Sequence, residues 1–222
     1  MYYKIVIIGL ILSVLWYPLA GCENNGPSTV FSPEVAYPEV MEWKETRPQP
    51  NTLVGIWGSS ATDIFTVGDN GTILHYDGKS WELIESGTAV DLNGVWGSSS
   101  SDVFAVGREG VILHYDGTGW SRMDSGTTDT LMNVWGSSAT DVYVTVRGPG
   151  TILHYDGETW ETVKTELDKF LHSVWGFSAT EVFATGRYNA VLRFDGESWK
   201  IIRKESDSME VLVSIWGSSP SS

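Results

Sequence analysis

Trp96–Trp120 reads WGSSSSDVFAVGREGVILHYDGTGW. The stretch recurs with small changes from Trp57, Trp135 and Trp175, and its opening WGSS appears once more at Trp216. Two tryptophan ladders frame the copies. Trp57, Trp96, Trp135, Trp175 and Trp216 are spaced by 39, 39, 40 and 41 residues, and Trp43, Trp81, Trp120, Trp160 and Trp199 by 38, 39, 40 and 39. A period of about 40 residues is that of one four-stranded propeller blade.

The interior of each unit reads as strand. In the first copy the spacing predicts an inner strand at Leu53–Trp57, a second at Asp63–Val67, a third at Thr72–Tyr76 and an outer one at Trp81–Ile84. These runs are short, β-branched and aromatic, and Gly, Asn and Asp punctuate them where a turn needs positive φ. A helical period is missing from every window, which argues against a helical solenoid. The tryptophans are expected to pack between blades, because one blade alone cannot bury its faces.

Asp77-Gly-Lys-Ser-Trp81, Asp116-Gly-Thr-Gly-Trp120, Asp156-Gly-Glu-Thr-Trp160 and Asp195-Gly-Glu-Ser-Trp199 resemble the Asp-box (BNR) turn of sialidase-type propellers. The usual turn has one more residue between Asp and Gly, and its leading Ser is replaced here by His or Arg. The whole unit is similar to bacterial propeller repeats described as BNR-like or kelch-like, over about residues 53–222. The resemblance implies an all-β propeller and is specific for fold rather than function.

Four units carry all four strands, at about 53–86, 92–125, 131–165 and 171–205. Trp43-Lys-Glu-Thr reads as an outer strand without its blade, and Val211–Ser222 as an inner strand. The expectation is four complete blades plus a partial fifth. Three arrangements fit: a four-bladed ring with two extra strands, a half-built fifth blade, or a fragment of a longer propeller. Unpaired strand edges would then invite self-association.

The 222 residues carry 14 Lys+Arg against 28 Asp+Glu, a formal charge of -14. That balance argues against nucleic acid as a partner and against broad adsorption to anionic headgroups. Residues 1–21 read as an export signal: Lys4, then an apolar run from Ile5 to Trp16 too short to span a bilayer. Leu19-Ala-Gly-Cys22 resembles the lipobox of bacterial lipoproteins, and Cys22 is the single cysteine of the chain. The resemblance implies lipidation of Cys22 and anchoring to a membrane of the bacterial cell envelope, with the domain outside the cytoplasm. Residues 22–48 read as a Pro-rich tether, and residues 49–222 as the propeller.

Several side chains recur once per unit. His75, His114 and His154 share one position, with Arg193 in the fourth copy. They lie a blade apart, too far for one zinc, and are expected to hydrogen-bond within their own blades. Asp63, Asp102, Asp141 and Glu181 open the second strands and read as turn-formers. Asp69, Arg108, Arg147 and Arg187 align in the turn between second and third strands. Three Arg on one rim are a candidate anion site for a carboxylate, a sulfate or an acidic sugar. No long insert carries further catalytic groups, and no cofactor or metal is expected. The first reading is a non-enzymatic, membrane-anchored binding or scaffolding propeller for a protein or glycan ligand. The alternatives are an Asp-box-type glycan-active enzyme or lectin, and a truncated piece of a larger propeller.

Overall fold

The computed structural model describes residues 51–203 and 210–217. The export signal, Cys22, the tether and Trp43 lie outside the described residues. The domain consists of four antiparallel sheets of four strands, each following chain order from inner to outer strand. Blade 1 is β1 (Leu53–Ser60), β2 (Asp63–Gly68), β3 (Ile73–Tyr76) and β4 (Trp81–Ile84). Blade 2 is β5 (Leu92–Ser99), β6 (Asp102–Gly107), β7 (Ile112–Tyr115) and β8 (Trp120–Met123). Blade 3 is β9 (Leu131–Ser138), β10 (Asp141–Val146), β11 (Thr151–Tyr155) and β12 (Trp160–Lys164). Blade 4 is β13 (Leu171–Ser178), β14 (Glu181–Gly186), β15 (Val191–Phe194) and β16 (Trp199–Arg203).

The expected strands are present, with one displacement. The Trp-Gly-Ser-Ser segment belongs to the inner strand and not to a turn. Ser60 pairs with Asp63 after a register shift at Gly58, which leaves a turn of only Ala61 and Thr62. The Ser60 hydroxyl accepts the Thr62 N–H at 3.2 Å and closes it. At the other hairpin, Asn70 adopts φ 55° inside a single 3-10 turn, Asp69–Gly71.

Side-chain alternation explains why one strand is apolar throughout. In β6, Val103 and Ala105 pack towards blade 1, and Phe104 and Val106 towards blade 3. Both faces are buried, so the run is continuous rather than half polar. Each interface repeats the same partners. Phe65, Val67 and Ile73 meet Leu92, Val95 and Val103. Phe104, Val106 and Ile112 meet Leu131, Val134 and Val142. Tyr143 and Ile152 meet Leu171, Val174 and Val182.

Three tryptophans of each ladder pack in these interfaces. The outer Trp120, Trp160 and Trp199 set their edges against Phe65, Phe104 and Tyr143 of the preceding blade, at 6.0–6.2 Å between ring centroids. The inner Trp57, Trp96 and Trp135 lie over Gly97, Gly136 and Gly176 of the following blade.

Inner strands β1, β5, β9 and β13 pack side by side in that order, and no comparable packing joins β13 back to β1. The ring is open. Beyond blade 4, residues 210–217 begin a partial fifth blade. Val211 pairs with Arg187, and the Leu212 N–H donates to the Gly186 carbonyl at 3.0 Å.

Candidate functional site

The recurring Asp and His form one device per blade. His75, His114 and His154 meet Asp63, Asp102 and Asp141 through Nε2 at 2.7, 2.6 and 2.8 Å. The other carboxylate oxygen accepts the hydroxyl of Ser59, Ser98 or Ser137. Each imidazole also stacks on the neighbouring aromatic ring, His75 on Phe65 at 4.2 Å. Blade 4 exchanges every part together. Arg193 donates to Glu181 at 2.9 Å, its guanidinium lies over Phe183, and Phe177 stands where the Ser would be.

The acids are therefore more than turn-formers, since they tie three strands of a blade. They do not make a nucleophile. In a catalytic triad the imidazole bridges hydroxyl and carboxylate, whereas here the carboxylate is in the middle and His Nε2 is spent on it. Burial would raise the Asp141 carboxyl, but hydrogen bonds from His154, Ser137 and Tyr143 outweigh it and hold the group below the usual carboxylate range. Burial beside that charge pushes the Tyr143 phenol far up. Among the described residues no His, Cys, Asp and Glu group could hold a metal ion.

The Asp-Gly turns are equally self-contained. Asp77 Oδ1 accepts the N–H groups of Lys79 and Ser80, both at 2.8 Å. Asp116, Asp156 and Asp195 repeat the pattern. The glycine that follows sits at φ 91–98° in all four turns, where a side chain would be strained. Asp116 also accepts the Thr118 hydroxyl, and these bonds lower its pKa from 3.8 to about 2.

The rim residues sit on the hairpin between second and third strands. The backbone N–H groups of Asp69, Arg108, Arg147 and Arg187 donate to the carbonyls of Thr52, Asp91, Thr130 and Phe170, which precede the inner strands. That bond fixes all four at the same place on their blades. Their side chains then diverge. Arg108 Nε pairs with Asp91 at 3.2 Å, and Asp91 also accepts the Asn70 N–H, so this Asp joins the turns of blades 1 and 2. Arg187 lies over the Phe170 ring at 5.3 Å. Among the described residues neither Arg147 nor Arg187 has an acidic partner.

His172 completes this part of the rim. The first of two register shifts in each inner strand leaves one residue opposite no partner: Val54, Asn93, Met132 and His172. Such bulges re-aim a side chain. The bulge in β13 places His172 within the field of both Arg187 and Arg147, and its Nε2 is buried with no hydrogen-bond partner. Burial first, then Arg187 and Arg147, hold its pKa below the ordinary histidine value. Two guanidinium groups without an acidic partner among the described residues thus act on one imidazole of the rim. Sequence reading found the arginines and passed over His172 and Asp91. His172 occupies a position filled by Val, Asn or Met in the other copies, and only the bulge gives it a direction.

Radially ordered four-stranded sheets with stacked inner strands define a β-propeller. No family model and no curated protein matches the chain. Solved structures match its fold. A YCF48 structure with a bound D1 peptide is 17% identical, over 72% of this chain and 56% of that one, at a TM-score of 0.56. YCF48 from Cyanidioschyzon merolae is 15% identical, over 66% and 52%, also at 0.56. The WD40 repeats of RRP9 are 14% identical, over 70% and 52%, at 0.57. The chain spans about half the length of these propellers.

Proposed function

We propose that the protein is a non-enzymatic binding or scaffolding propeller that takes a carboxylate-bearing peptide segment on its arginine rim. One observation carries the reading: among the described residues Arg147 and Arg187 have no acidic partner, and both act on His172, whose buried Nε2 has no hydrogen-bond partner. A guanidinium donates two parallel hydrogen bonds to a carboxylate, and the overall charge of -14 makes a local cationic patch selective rather than generally adhesive. One of the propellers that the chain resembles was solved with a peptide bound, which supports a peptide as ligand class. The lipobox at Cys22 supports the further reading that the propeller is a lipoprotein held at a bacterial envelope membrane. The Asp-box resemblance supplies a second occupant of the same chemistry, an acidic glycan on a lectin.

The test is binding of acidic peptides and acidic glycans to the wild type and to the variant Arg108→Ala/Arg147→Ala/Arg187→Ala. Loss of affinity by at least tenfold, with Arg147 and Arg187 responsible for most of it, supports the rim. A bound carboxylate would also move the His172 titration upward by NMR, since it stabilises the imidazolium. Unchanged binding in the triple variant removes the site. Hydrolysis of a bound glycan would replace the binding reading with an enzymatic one.

A further inference from the structure

The hairpin between β14 and β15 departs from the other three. In blades 1 to 3 this turn uses a glycine at positive φ: Gly71 at 67°, Gly110 at 66° and Gly150 at 50°. In blade 4 the turn reads Arg187-Tyr-Asn-Ala190, and two side-chain-bearing residues stand in the left-handed region, Tyr188 at φ 59° and Asn189 at φ 58°. Asparagine tolerates that backbone, whereas a bulky residue is strained by it. Asn70 fills the place of Tyr188 in blade 1, at φ 55°. The same turn is therefore made elsewhere in the chain by a residue suited to it.

Glu210 holds the strained pair in place. Its carbonyl accepts the Tyr188 N–H at 2.7 Å and the Asn189 N–H at 3.3 Å, and its carboxylate accepts a bond from Asn189 Nδ2 at 2.6 Å. The core does not require the ring: Tyr188 stays partly exposed and lies outside the buried cluster of blades 3 and 4. Strain that packing does not need points to a function of the residue that carries it. The neighbours of Tyr188 are those of the rim. Lys169 Nζ lies over its ring at 5.5 Å, and Arg187, the residue before it, lies over Phe170 at 5.3 Å. Phe170 supports one face of that guanidinium and leaves its N–H edge for a ligand.

We propose that Tyr188 is a specificity residue of the rim, and that the peptide bound there carries an aromatic side chain next to its carboxylate. The inference rests on the carboxylate reading of the rim. Arg187 takes the carboxylate, and the ligand's ring packs offset or edge-on against the part of the Tyr188 ring that Lys169 leaves open. Chain neighbours such as Arg187 and Tyr188 have Cα atoms about 3.8 Å apart, so a ring and a carboxylate on neighbouring ligand residues match them. Asn70 and Glu109, exposed at the same place in blades 1 and 2, offer no ring. The aromatic contact belongs to the side of the rim that carries Arg187.

The test is titration calorimetry of the full chain in a non-ionic detergent with two short peptides, blocked at both ends, that contain Phe-Asp or Leu-Asp as their only charged and apolar residues. The wild type should bind the Phe-Asp peptide about three- to tenfold tighter, the range expected of an aromatic pair beyond its apolar area. Tyr188→Asn, which installs the residue of blade 1, should abolish that preference and leave the Leu-Asp affinity unchanged. The same variant should melt at a higher temperature, because it releases the backbone strain. Tyr188→Phe should keep the preference. Equal binding of the two peptides by the wild type overturns the inference and leaves the arginine rim standing. So does a preference that survives in Tyr188→Asn, or a Tyr188→Asn chain that melts lower and loses both peptides alike, as a purely structural tyrosine would. A Leu-Asp peptide that binds the wild type no better than the triple arginine variant removes the rim itself, and this inference with it.

Discussion

At the scale of single residues, the acids that recur in every unit are occupied by their own blades. The carboxylates at the Asp-Gly turns serve backbone N–H groups, and those at the second-strand starts serve Ser and His. Asp116 gives the sharpest prediction. Its pKa of about 2 depends first on the Thr118 hydroxyl. Thr118→Val should raise it towards 3.8, the ordinary value, in an NMR titration. The sign for stability follows. A carboxyl whose folded pKa lies below its unfolded one stabilises the fold above the ordinary value, and that contribution fades as pH falls towards the folded pKa. The variant should therefore be less stable than the wild type above about pH 4, with the difference closing between about pH 4 and pH 2, and its melting temperature should depend less on pH there. Among the described residues, His172 Nε2 is buried without a hydrogen-bond partner, as are Trp120 and Trp160 Nε1, but it is the one of the three that stands in the field of the rim arginines.

At the scale of elements, the unit of stability is the contact between neighbouring blades. Gly136 lies beneath the Trp96 ring, where a Cβ would come within 2.6 Å of the ring and 2.9 Å of the Asp141 carbonyl. Gly136→Ala should destabilise the fold by about 1–3 kcal/mol, the usual cost of overpacking. Gly58→Ala places its Cβ no nearer than 3.0 Å to any atom and meets no ring. It should cost clearly less. Urea unfolding of the two variants checks the pair, and equal losses would mean that the ring above Gly136 moves aside.

At the scale of the molecule, the array is open and its ends differ from its middle. A repeat that contacts only its neighbours draws its stability from them. Blade 1 has a covered face towards blade 2 and a bare one at Leu53 and Ile56, whereas β5 and β9 are covered on both sides. Amide hydrogen exchange should therefore be faster in β1 than in β5 or β9, measured at concentrations low enough to keep copies apart. Similar rates in all three strands would show that something in the chain covers β1.

The sequence by itself determined the blade. A period of about 40, short strands and Asp-Gly turns at fixed places are local signals, because strand alternation and positive-φ turns are set by neighbours in the chain. It also placed the arginines on one rim, since aligned repeat positions become equivalent positions in space. Tertiary structure alone decided the rest. Arg108 is spent on Asp91 while Arg147 and Arg187 have no acidic partner among the described residues, because the residue before the blade's own inner strand is Asp91 in blade 2 but Thr130 and Phe170 in blades 3 and 4. His172 faces them through a bulge that no residue type announces. The partial fifth blade, read from a bare count of strands, acquired its physical content only from the structure, in which Val211 pairs with Arg187 and the Leu212 N–H donates to the Gly186 carbonyl.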